Sequence, residues 1–338
     1  MNKTLIFCGH FQRITMSNIL IIDGLNLFFR AYMMDPSLGP NGQPTGGIKG
    51  TFKMMQKLIR ENNPDKIYFC WDGPKSAIRR RAVNSNYKEG RKPIRLNRNF
   101  GDLTEEDEKQ NRYWQYGRVV EYLNQMPIAQ IYLDFVEADD AISVLCRELS
   151  ADKKTIVSND KDFLQLLDPN TFLYRPCKEE IYDVEKVVGE YDIHPTNFAL
   201  ARAVVGDASD NLPGAKGVGL KTMAKKFPQL KEEKSVMLTE IFDMCKNDPK
   251  PMKIHESILD SEKLIKDNYD MMQLYAPSLS IDVREKIRGI IDEYPVGFNK
   301  TNLRMMMMQD GTGNFSWTEL FSNLNMISIT SKVNNEQQ

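Results

Sequence analysis

Three short apolar runs of the sequence each end at or within a few residues of an aspartate. Each run has the length and composition of a strand that is buried on both faces. The runs and their acids are residues 19–22 before Asp23, residues 67–71 before Asp72, and residues 155–157 before Asp160 and Asp162. An aspartate behind a strand commonly caps the next helix, and this alternative stays open for each acid taken singly. Three such positions in one chain favour a shared site.

A second acidic group, Glu137, Asp139 and Asp140, lies in the sequence VEADDAI at the start of a predicted helix. Helix capping explains one of these acids well and all three poorly. Two carboxylates about 4 Å apart repel by roughly 4 kcal/mol at an effective dielectric of about 20, so a gathered cluster needs a cation. Oxygen ligands without His or Cys favour a hard ion, Mg²⁺ or Mn²⁺.

Helical patterns separate the apolar runs, at residues 47–60, 105–126 and 139–149. This alternation predicts an α/β fold with a central, mainly parallel sheet flanked by helices. The carboxyl ends of parallel strands share one edge of such a sheet, where open α/β folds bind their ligands. The sequence therefore predicts that the acids meet at this edge.

The composition indicates a globular chain of one large domain or two coupled lobes, with 41% hydrophobic and 27% charged residues in 338. No apolar run has transmembrane length and no signal peptide is evident, which predicts a cytoplasmic protein. The five cysteines and three histidines are scattered, which argues against structural zinc and a disulfide framework.

The charges are sorted along the chain although the formal net charge is only −1. Residues 75–98 hold nine bases and one acid, whereas residues 134–162 hold eight acids and four bases. A phosphate-attracting segment beside a cation-attracting one indicates metal-assisted work on nucleic acid.

From residue 18 to residue 227 the sequence resembles the 5′ nucleases, a family that includes flap endonucleases, stand-alone phage 5′ exonucleases and the amino-terminal domain of bacterial DNA polymerase I. Six landmarks carry the resemblance, in the family's order: ILIIDGLNLFFRAY, FCWDG, NYKEGR, VEADDAISVL, SNDKDFLQLL and VVGDASDNLPGAKGVGLKTMAKKF. The resemblance implies a PIN-like nuclease core with a helical arch and a helix-three-turn-helix lobe.

The resemblance also implies a two-metal site for Mg²⁺, with Mn²⁺ as a substitute. Asp23, Asp72, Glu137 and Asp139 would serve mainly one ion, and Asp160, Asp162 and Asp207 the other. Asp140 and Asp210 would be outer members of the site. The implied reaction is hydrolysis of a phosphodiester bond to give a 5′ phosphate and a 3′ hydroxyl.

The basic segment resembles the base of the family's arch, which spans about residues 75–112 here. The pattern YK-x-x-R places the implied catalytic cations at Lys88 and Arg91, with Arg79 or Arg80 one or two turns earlier. The register between those two arginines stays open. A solvated, charged loop is the alternative interpretation of the segment.

A glycine-rich loop, NLPGAKGVG, resembles the turn of the helix-three-turn-helix at about residues 199–227. In the family this turn binds a monovalent ion, usually K⁺, and grips duplex phosphates, which gives affinity without sequence preference. The implied DNA-binding residues are Lys216, Gly217, Gly219, Lys221, Lys225 and Lys226. The spacing does not fit an ATPase phosphate loop.

The predicted domains are a non-core extension at residues 1–16, a nuclease core at 17–190, a helical lobe at 191–300, and a C-terminal helix with a polar tail at 301–338. Whether Met1 or Met16 is the first residue stays open. We expect Met305–Met308 to fill an irregular core, the segment around Phe315, Trp317 and Phe321 to form a docking helix, and the tail from Ser331 to be disordered.

We expect a monomeric, stand-alone 5′ nuclease of phage type that removes RNA primers and 5′ flaps in DNA replication or repair. Its DNA substrates would carry a 5′ flap, a nick or an RNA primer. A single-strand-binding protein or a clamp is the expected partner of the C-terminal region. Two alternatives stay open: a ribonuclease of the PIN fold, and a DNA-structure-binding protein that has lost catalysis.

Overall fold

The structure is a computed structural model that describes residues 16–89, 95–96, 103–149, 152–314 and 316–336. Its main sheet has six strands within these ranges, in the order β3-β2-β1-β4-β5-β6. Neighbouring strands run parallel except for β5 and β6. The strands are β1 (Asn18–Asp23), β2 (Lys66–Cys70), β3 (Ala129–Ile131), β4 (Lys153–Val157), β5 (Thr171–Arg175) and β6 (Glu180–Tyr182). The predicted α/β fold class is confirmed.

Helices cover both faces of the sheet, and the packing of β1 shows why its apolar run is continuous. Ile19 and Ile21 belong to the core on one face, and Leu20 and Ile22 to the core on the other. The helices before residue 150 are α1 (Gly24–Met34), α2 (Gly46–Asn62), α3 (Ile78–Val83), α4 (Glu105–Leu123) and α5 (Ala138–Glu148). Helix α5 packs in the first core, and α1, α2 and α4 pack in the second.

A helical lobe follows the sheet. Its helices are α6 (Val184–Tyr191), α7 (Pro195–Val205), α8 (Leu220–Lys226), α9 (Leu238–Asn247), α10 (Lys253–Asp260), α11 (Glu262–Met272) and α12 (Ile281–Asp292). Two short antiparallel strands, β7 (Gly206–Asp207) and β8 (Leu212–Pro213), lie between α7 and α8. Apolar residues of this lobe continue the first core, so the lobe and the sheet share one packed interior.

The last two helices, α13 (Lys300–Gln309) and α14 (Trp317–Glu336), pack against the second core through Leu303, Met307 and Leu320. The predicted docking helix at Trp317 and Phe321 is confirmed, while Phe315 lies outside the described residues. The methionine run fills the core only in part, because Met307 is buried whereas Met305 and Met308 are exposed.

The prediction of a disordered tail from Ser331 was wrong at its start. Ser331 lies inside α14, is buried, and its hydroxyl donates to the backbone oxygen of Asp65 at 3.1 Å. The predicted extension at residues 1–16 falls outside the described residues except for Met16. Among the helices that the structure describes, none combines the length and apolarity needed to cross a bilayer.

The sheet order places a topological switch point between β1 and β4. From β1 the chain adds β2 and β3 on one side, then returns to add β4 on the other. Loops that leave neighbouring strands in opposite directions open a crevice at the carboxyl edge, where ligands bind in open α/β sheets.

Candidate metal-binding active site

Asp23 is the last residue of β1, at this crevice, and two hydrogen bonds hold its carboxylate. One carboxylate oxygen accepts from the backbone nitrogen of Asn26 at 3.2 Å, which caps α1. The other accepts from the Ser158 hydroxyl at 2.9 Å. Burial raises the pKa of the Asp23 carboxyl to about 8, against the lowering effect of both hydrogen bonds. The ionised side chain therefore needs a nearby positive charge.

Ser158 connects Asp23 with the acids that follow β4. Its hydroxyl oxygen accepts from the backbone nitrogen of Asp160 at 3.1 Å, and the Asp160 carboxylate accepts from the backbone nitrogen of Asp162 at 2.8 Å. Burial, followed by the charge of Asp160, raises the pKa of Asp162 to about 7. The chain of contacts fixes the spacing of three carboxylates from two strands.

Arg202 of α7 joins Asp162 to Asp207. Its Nε donates to Asp162 at 3.1 Å and its Nη2 to Asp207 at 2.5 Å. Burial opposes ionisation of Asp207, but hydrogen bonds from Ser209 and the charge of Arg202 outweigh it and lower the pKa of Asp207. Arg202 therefore neutralises part of this acidic group.

Asp72 lies two residues beyond β2 and faces the start of α5. One of its carboxylate oxygens accepts from the backbone nitrogen of Ala138 at 2.8 Å. Burial, followed by the charge of Asp139, raises the pKa of Asp72. Asp139 in the first turn of α5 stays partly exposed and approaches Arg80 at 3.5 Å.

A buried ion cluster lies behind the crevice. Glu137 Oε2 accepts from Arg80 Nη1, from Lys88 Nζ at 2.9 Å and from the Tyr87 hydroxyl at 3.2 Å. Glu137 Oε1 is buried and has no hydrogen-bond partner among the described residues. Burial opposes the charge of Lys88, but Asp139 and Glu137 outweigh it and raise the pKa of Lys88, so it stays protonated.

Arg79 and Arg80, which the sequence could not separate, have different surroundings. Arg80 is buried; its Nη2 lies 3.2 Å from Asp140, and its Nε donates to the backbone oxygen of Met271 at 3.0 Å. Arg79 binds Asp140 from the other side at 2.8 Å and is one-third exposed. Arg80 lines the crevice.

The crevice encloses about 190 Å³. Five of the nine predicted acids line it, namely Asp23, Asp139, Asp160, Asp162 and Asp210, together with Arg80, Tyr87 and Lys88. The other four, Asp72, Glu137, Asp140 and Asp207, are held by the backbone or by basic side chains described above. The structure therefore gathers the predicted acids at one edge of the sheet.

The donor set fits a hard divalent cation, because every acidic donor is an oxygen and Glu137 Oε1 has an unused lone pair in a buried setting. The side chains do not form a finished cage: no three Asp, Glu, His or Cys side chains of the described residues converge on one point. Arg80, Lys88 and Arg202 hold several of these carboxylates instead. For these carboxylates to share an ion, the partly exposed Asp139 and the carboxylates beside it would have to change rotamer.

The predicted DNA-binding residues lie apart from the crevice, on the loop between β8 and α8 and on α8 itself. Lys216, Lys221 and Lys225 are exposed and Lys226 is half-buried. Gly217 has φ +76°, a conformation that favours glycine, and Gly219 precedes α8 as its N-cap. Arg91, the remaining predicted catalytic cation, lies outside the described residues.

Sequence reasoning missed the polar residues that position the acids. Ser158, Asn26 and Asn159 form one such group, in which both the backbone and the side-chain nitrogen of Asn159 donate to the Asn26 amide oxygen. Arg202 is another, and its only sequence signal was a basic residue one helical turn before Asp207. Each group also joins segments that are remote in sequence, because Ser158 binds Asp23, Asn159 binds Asn26 and Arg202 binds Asp162, so no local pattern reports these contacts.

The fold and the crevice define the chain as an α/β protein with an acidic site at the switch point of its sheet. The chain belongs to the 5′-3′ exonuclease family, because residues 18–192 match the family described as "5′-3′ exonuclease, N-terminal resolvase-like domain". It is accordingly a nuclease, a phosphodiester hydrolase of that family.

Individual relatives agree with this assignment. The 5′-3′ exonuclease of Halalkalibacterium halodurans is 30% identical over 262 residues, which cover 73% of this chain and 80% of the relative. The flap endonuclease Xni of Shewanella piezotolerans is 30% identical over 213 residues, 61% of this chain and 74% of the relative. The bacteriophage T5 flap endonuclease, solved with DNA and metal ions, has a TM-score of 0.65 at 20% identity, covering 82% of this chain and 99% of that one. This last likeness shows the fold.

Proposed function

We propose that the protein cleaves DNA near the 5′ end of a strand, at a flap, a nick or an RNA primer, with two Mg²⁺ ions in the acidic crevice. The observation that supports this proposal best is the crevice itself. Five aspartates from four segments of the chain line it, and two basic side chains, Arg80 and Lys88, lie among them. Carboxylates for cations beside cations for phosphate are what metal-assisted phosphodiester hydrolysis requires.

Seven carboxylates would hold the ions in two groups. Asp23, Asp72, Glu137 and Asp139 come from the ends of β1 and β2 and the start of α5, and they would serve one ion. Asp160, Asp162 and Asp207 come from the loops after β4 and α7, and they would serve the other, with Mn²⁺ able to replace Mg²⁺. When bound, such ions activate water and stabilise negative charge on the attacked phosphate.

Lys88 is the chain's best-placed cation for the substrate phosphate. Its backbone has φ +57°, and its backbone nitrogen donates to the backbone oxygen of Asp210 at 3.1 Å. Its side chain reaches Glu137 and is partly exposed to the crevice. Lys88 would turn from Glu137 towards a phosphate oxygen, while Arg80 keeps Glu137 and Asp140 in place. Arg91 is proposed as a second such cation from the sequence resemblance.

The glycine-rich loop would grip duplex DNA by its backbone phosphates. Lys216, Lys221 and Lys225 are exposed on or beside this loop, and such contacts give affinity that falls steeply with salt. We propose K⁺ as the ion of this loop, coordinated by backbone oxygens. The backbone of this loop passes close to the end of α7, because a Cβ on Gly214 would lie 2.1 Å from the backbone oxygen of Val205.

The C-terminal helices offer the proposed contact with a replication partner. A groove of about 440 Å³ between α13 and α14 is lined by Lys300, Arg304, Met305, Met308 and Phe321. Apolar side chains with a basic rim suit an acidic, partly apolar segment of a single-strand-binding protein or clamp. We further propose that the enzyme acts as a monomer in the cytoplasm, of the host cell if a phage encodes it.

The proposal is tested by cleavage assays of the purified protein on a 5′-flap DNA, a nicked duplex, an RNA–DNA hybrid, a blunt duplex and a single-stranded RNA. We expect cleavage with Mg²⁺ or Mn²⁺ and 5′-phosphate products. Asp160→Asn should abolish cleavage and leave DNA binding largely intact, and Asp282→Asn, an exposed aspartate on α12, is the matched control. Binding without cleavage under all metal conditions would mean that catalysis is lost, and cleavage of single-stranded RNA alone would favour the PIN-type ribonuclease.

A further inference from the structure

Two aromatic side chains stand exposed on the loop that joins β3 to α5. Tyr132 is 54% exposed and Phe135 is 56% exposed. The loop ends at Glu137, and Asp139 follows in the first turn of α5, so the two aromatic residues lie close in sequence to acids of the site. Large exposed apolar groups beside a functional site often mark a ligand-binding surface.

Phe135 adopts a backbone conformation that a bulky residue rarely takes. Its φ is +65°, a region that costs a non-glycine residue roughly 1–2 kcal/mol. Glycine or asparagine would fill this position with less strain, and more than half of the Phe135 surface stays exposed. Strained backbone of this kind persists where the surrounding structure holds it, typically at binding and catalytic sites.

The surroundings of Phe135 do hold it. The backbone nitrogen of Phe135 donates to the Pro74 oxygen, and that of Gly73 donates to the Val136 oxygen, both at 2.9 Å. A Cβ on Gly73 would lie 1.7 Å from the oxygen of Leu133, so the two loops touch along their backbones. The Phe135 loop is thereby fixed to the turn that carries Asp72.

Charge and aromatic packing connect this surface with the crevice. Lys75 Nζ lies 5.9 Å from the centre of the Phe135 ring, which places a cation for a phosphate beside a face for a base. Burial, with smaller contributions from the nearby Tyr132 and Asp72, raises the pKa of Tyr116 to about 12. The ring of Tyr116 packs edge-on against the ring of Trp71, with 5.2 Å between the ring centres. Trp71 is the residue directly before Asp72 in the chain.

We propose that Phe135 and Tyr132 form a stacking platform for unpaired bases of the nucleic-acid strand that enters the acidic crevice. The proposal rests on the proposed nuclease function, because it names the part of the substrate that this surface binds. Stacking on aromatic rings tolerates every base, so the platform would add affinity for single-stranded segments without sequence preference. Its rigid attachment to the Asp72 turn would place the stacked base at a fixed distance from the site.

The test compares two DNA substrates in EDTA, so that nothing is cut. One carries a short oligothymidylate 5′ flap, and the other has the same flap with abasic residues in place of thymidine. We expect the wild-type protein to bind the abasic flap about tenfold more weakly by fluorescence anisotropy. Phe135→Gly keeps only the Tyr132 ring, so it should lose most of this difference, with its affinity for the thymidine flap falling towards that for the abasic flap.

Thermal unfolding separates loss of binding from loss of folding in Phe135→Gly. Glycine relieves the strain at φ +65°, so the Tm of this variant should be no lower than that of the wild type. Phe135→Trp keeps a ring and should restore the preference for thymidine over the abasic flap, with a change in tryptophan fluorescence on binding. Ile181→Ala is the matched control, since Ile181 is 53% exposed on β6 at the opposite edge of the sheet.

The inference is overturned if the wild-type protein binds the two flaps equally, or if Phe135→Gly retains the difference. Cleavage in Mg²⁺ separates this result from the proposed function. Wild-type protein that cuts the thymidine flap while failing the binding comparison keeps its function and loses the platform. Protein that cuts no DNA but passes the comparison keeps the platform and loses the proposed function.

Discussion

Arg80→Met perturbs the buried ion cluster behind the crevice. The Arg80 side chain is 4% exposed and contacts Glu137 and Asp140, which are 1% and 3% exposed. Removing one partner of a buried ion pair leaves uncompensated charge and costs about 3–5 kcal/mol. Lys88 and Arg79 remain bound to the same two acids, so we expect about 3 kcal/mol. That loss corresponds to a fall in Tm of roughly 4 °C, because the unfolding entropy of a 338-residue chain is about 0.7 kcal/mol/K.

The assay is thermal unfolding in EDTA and in Mg²⁺. Without metal, the variant should melt at the lower temperature, because Glu137 Oε1 already lacks a partner and Oε2 loses its strongest one. Mg²⁺ should raise the Tm of Arg80→Met more than that of the wild type, since the ion supplies the missing positive charge. At a hundred times its Kd, a metal ion stabilises the protein that binds it by about 2.7 kcal/mol, and the larger rise in Tm of the variant would report its tighter binding of the ion.

Arg79→Gln is the matched control for this prediction. Arg79 makes one ion pair with Asp140 and is 33% exposed, so its removal should cost less than about 1 kcal/mol. Equal effects of the two substitutions in EDTA would refute the assignment of Arg80 as the buried member. An Arg80→Met protein as stable as the wild type in EDTA would refute the cluster itself.

Three further substitutions test other parts of the structure. Tyr294→Phe should cost about 1–3 kcal/mol in urea unfolding, because the hydroxyl accepts from the backbone at the start of β2 and donates to the Pro127 oxygen at 2.7 Å. Gly73→Ala should cost about 3 kcal/mol and reduce cleavage, since its Cβ would lie 1.7 Å from a backbone oxygen of the next loop. His194→Ala should cost about 1 kcal/mol at pH 8, because the ring nitrogen caps α7 by accepting from Thr196. Burial lowers the pKa of His194, so its contribution as a cap is present above pH 6.5 and fades as acid protonates the ring. The difference in free energy of unfolding between wild type and variant should therefore shrink as the pH is lowered.

The sequence predicted the three central strands because each is apolar on both faces. It missed β3, which has only three residues, and the edge strands β5 and β6, whose polar residues break the run. It also began β4 two residues late, because Lys154 interrupts the apolar pattern. Lys154 is buried nonetheless, and its Nζ donates to the backbone oxygens of Leu149 and Asp152 at 3.0 and 2.9 Å. A buried lysine with backbone acceptors leaves no signal in hydrophobicity.

Seven acids of the site were predictable from strand ends, a helix start and residue type, which are local properties, whereas Asp207 and Asp210 were predicted only from the family resemblance. The partners of the acids were not predictable, because the contacts join distant segments: Ser158 meets Asp23 across 135 positions, and Arg202 meets Asp162 across 40. The choice between Arg79 and Arg80 was open for the same reason. Only the packing of α3 against α5 and α11 decides which of two adjacent arginines is buried.

Hydrogen bonds join the base of the basic segment directly to the glycine-rich region, so each is held in position relative to the other. The backbone nitrogen of Lys88 donates to the backbone oxygen of Asp210, and the side-chain amide of Asn211 donates to the backbone oxygen of Asn86 at 3.1 Å. Tyr87 packs beneath this junction in a small apolar cluster with Leu212, Met271 and Met272. A duplex held by the exposed lysines near α8 would therefore lie at a fixed offset from Lys88 and the crevice. Such an offset lets a protein without base-specific contacts select the phosphate to be cut by its distance from the duplex, because phosphate contacts set position and carry no sequence information.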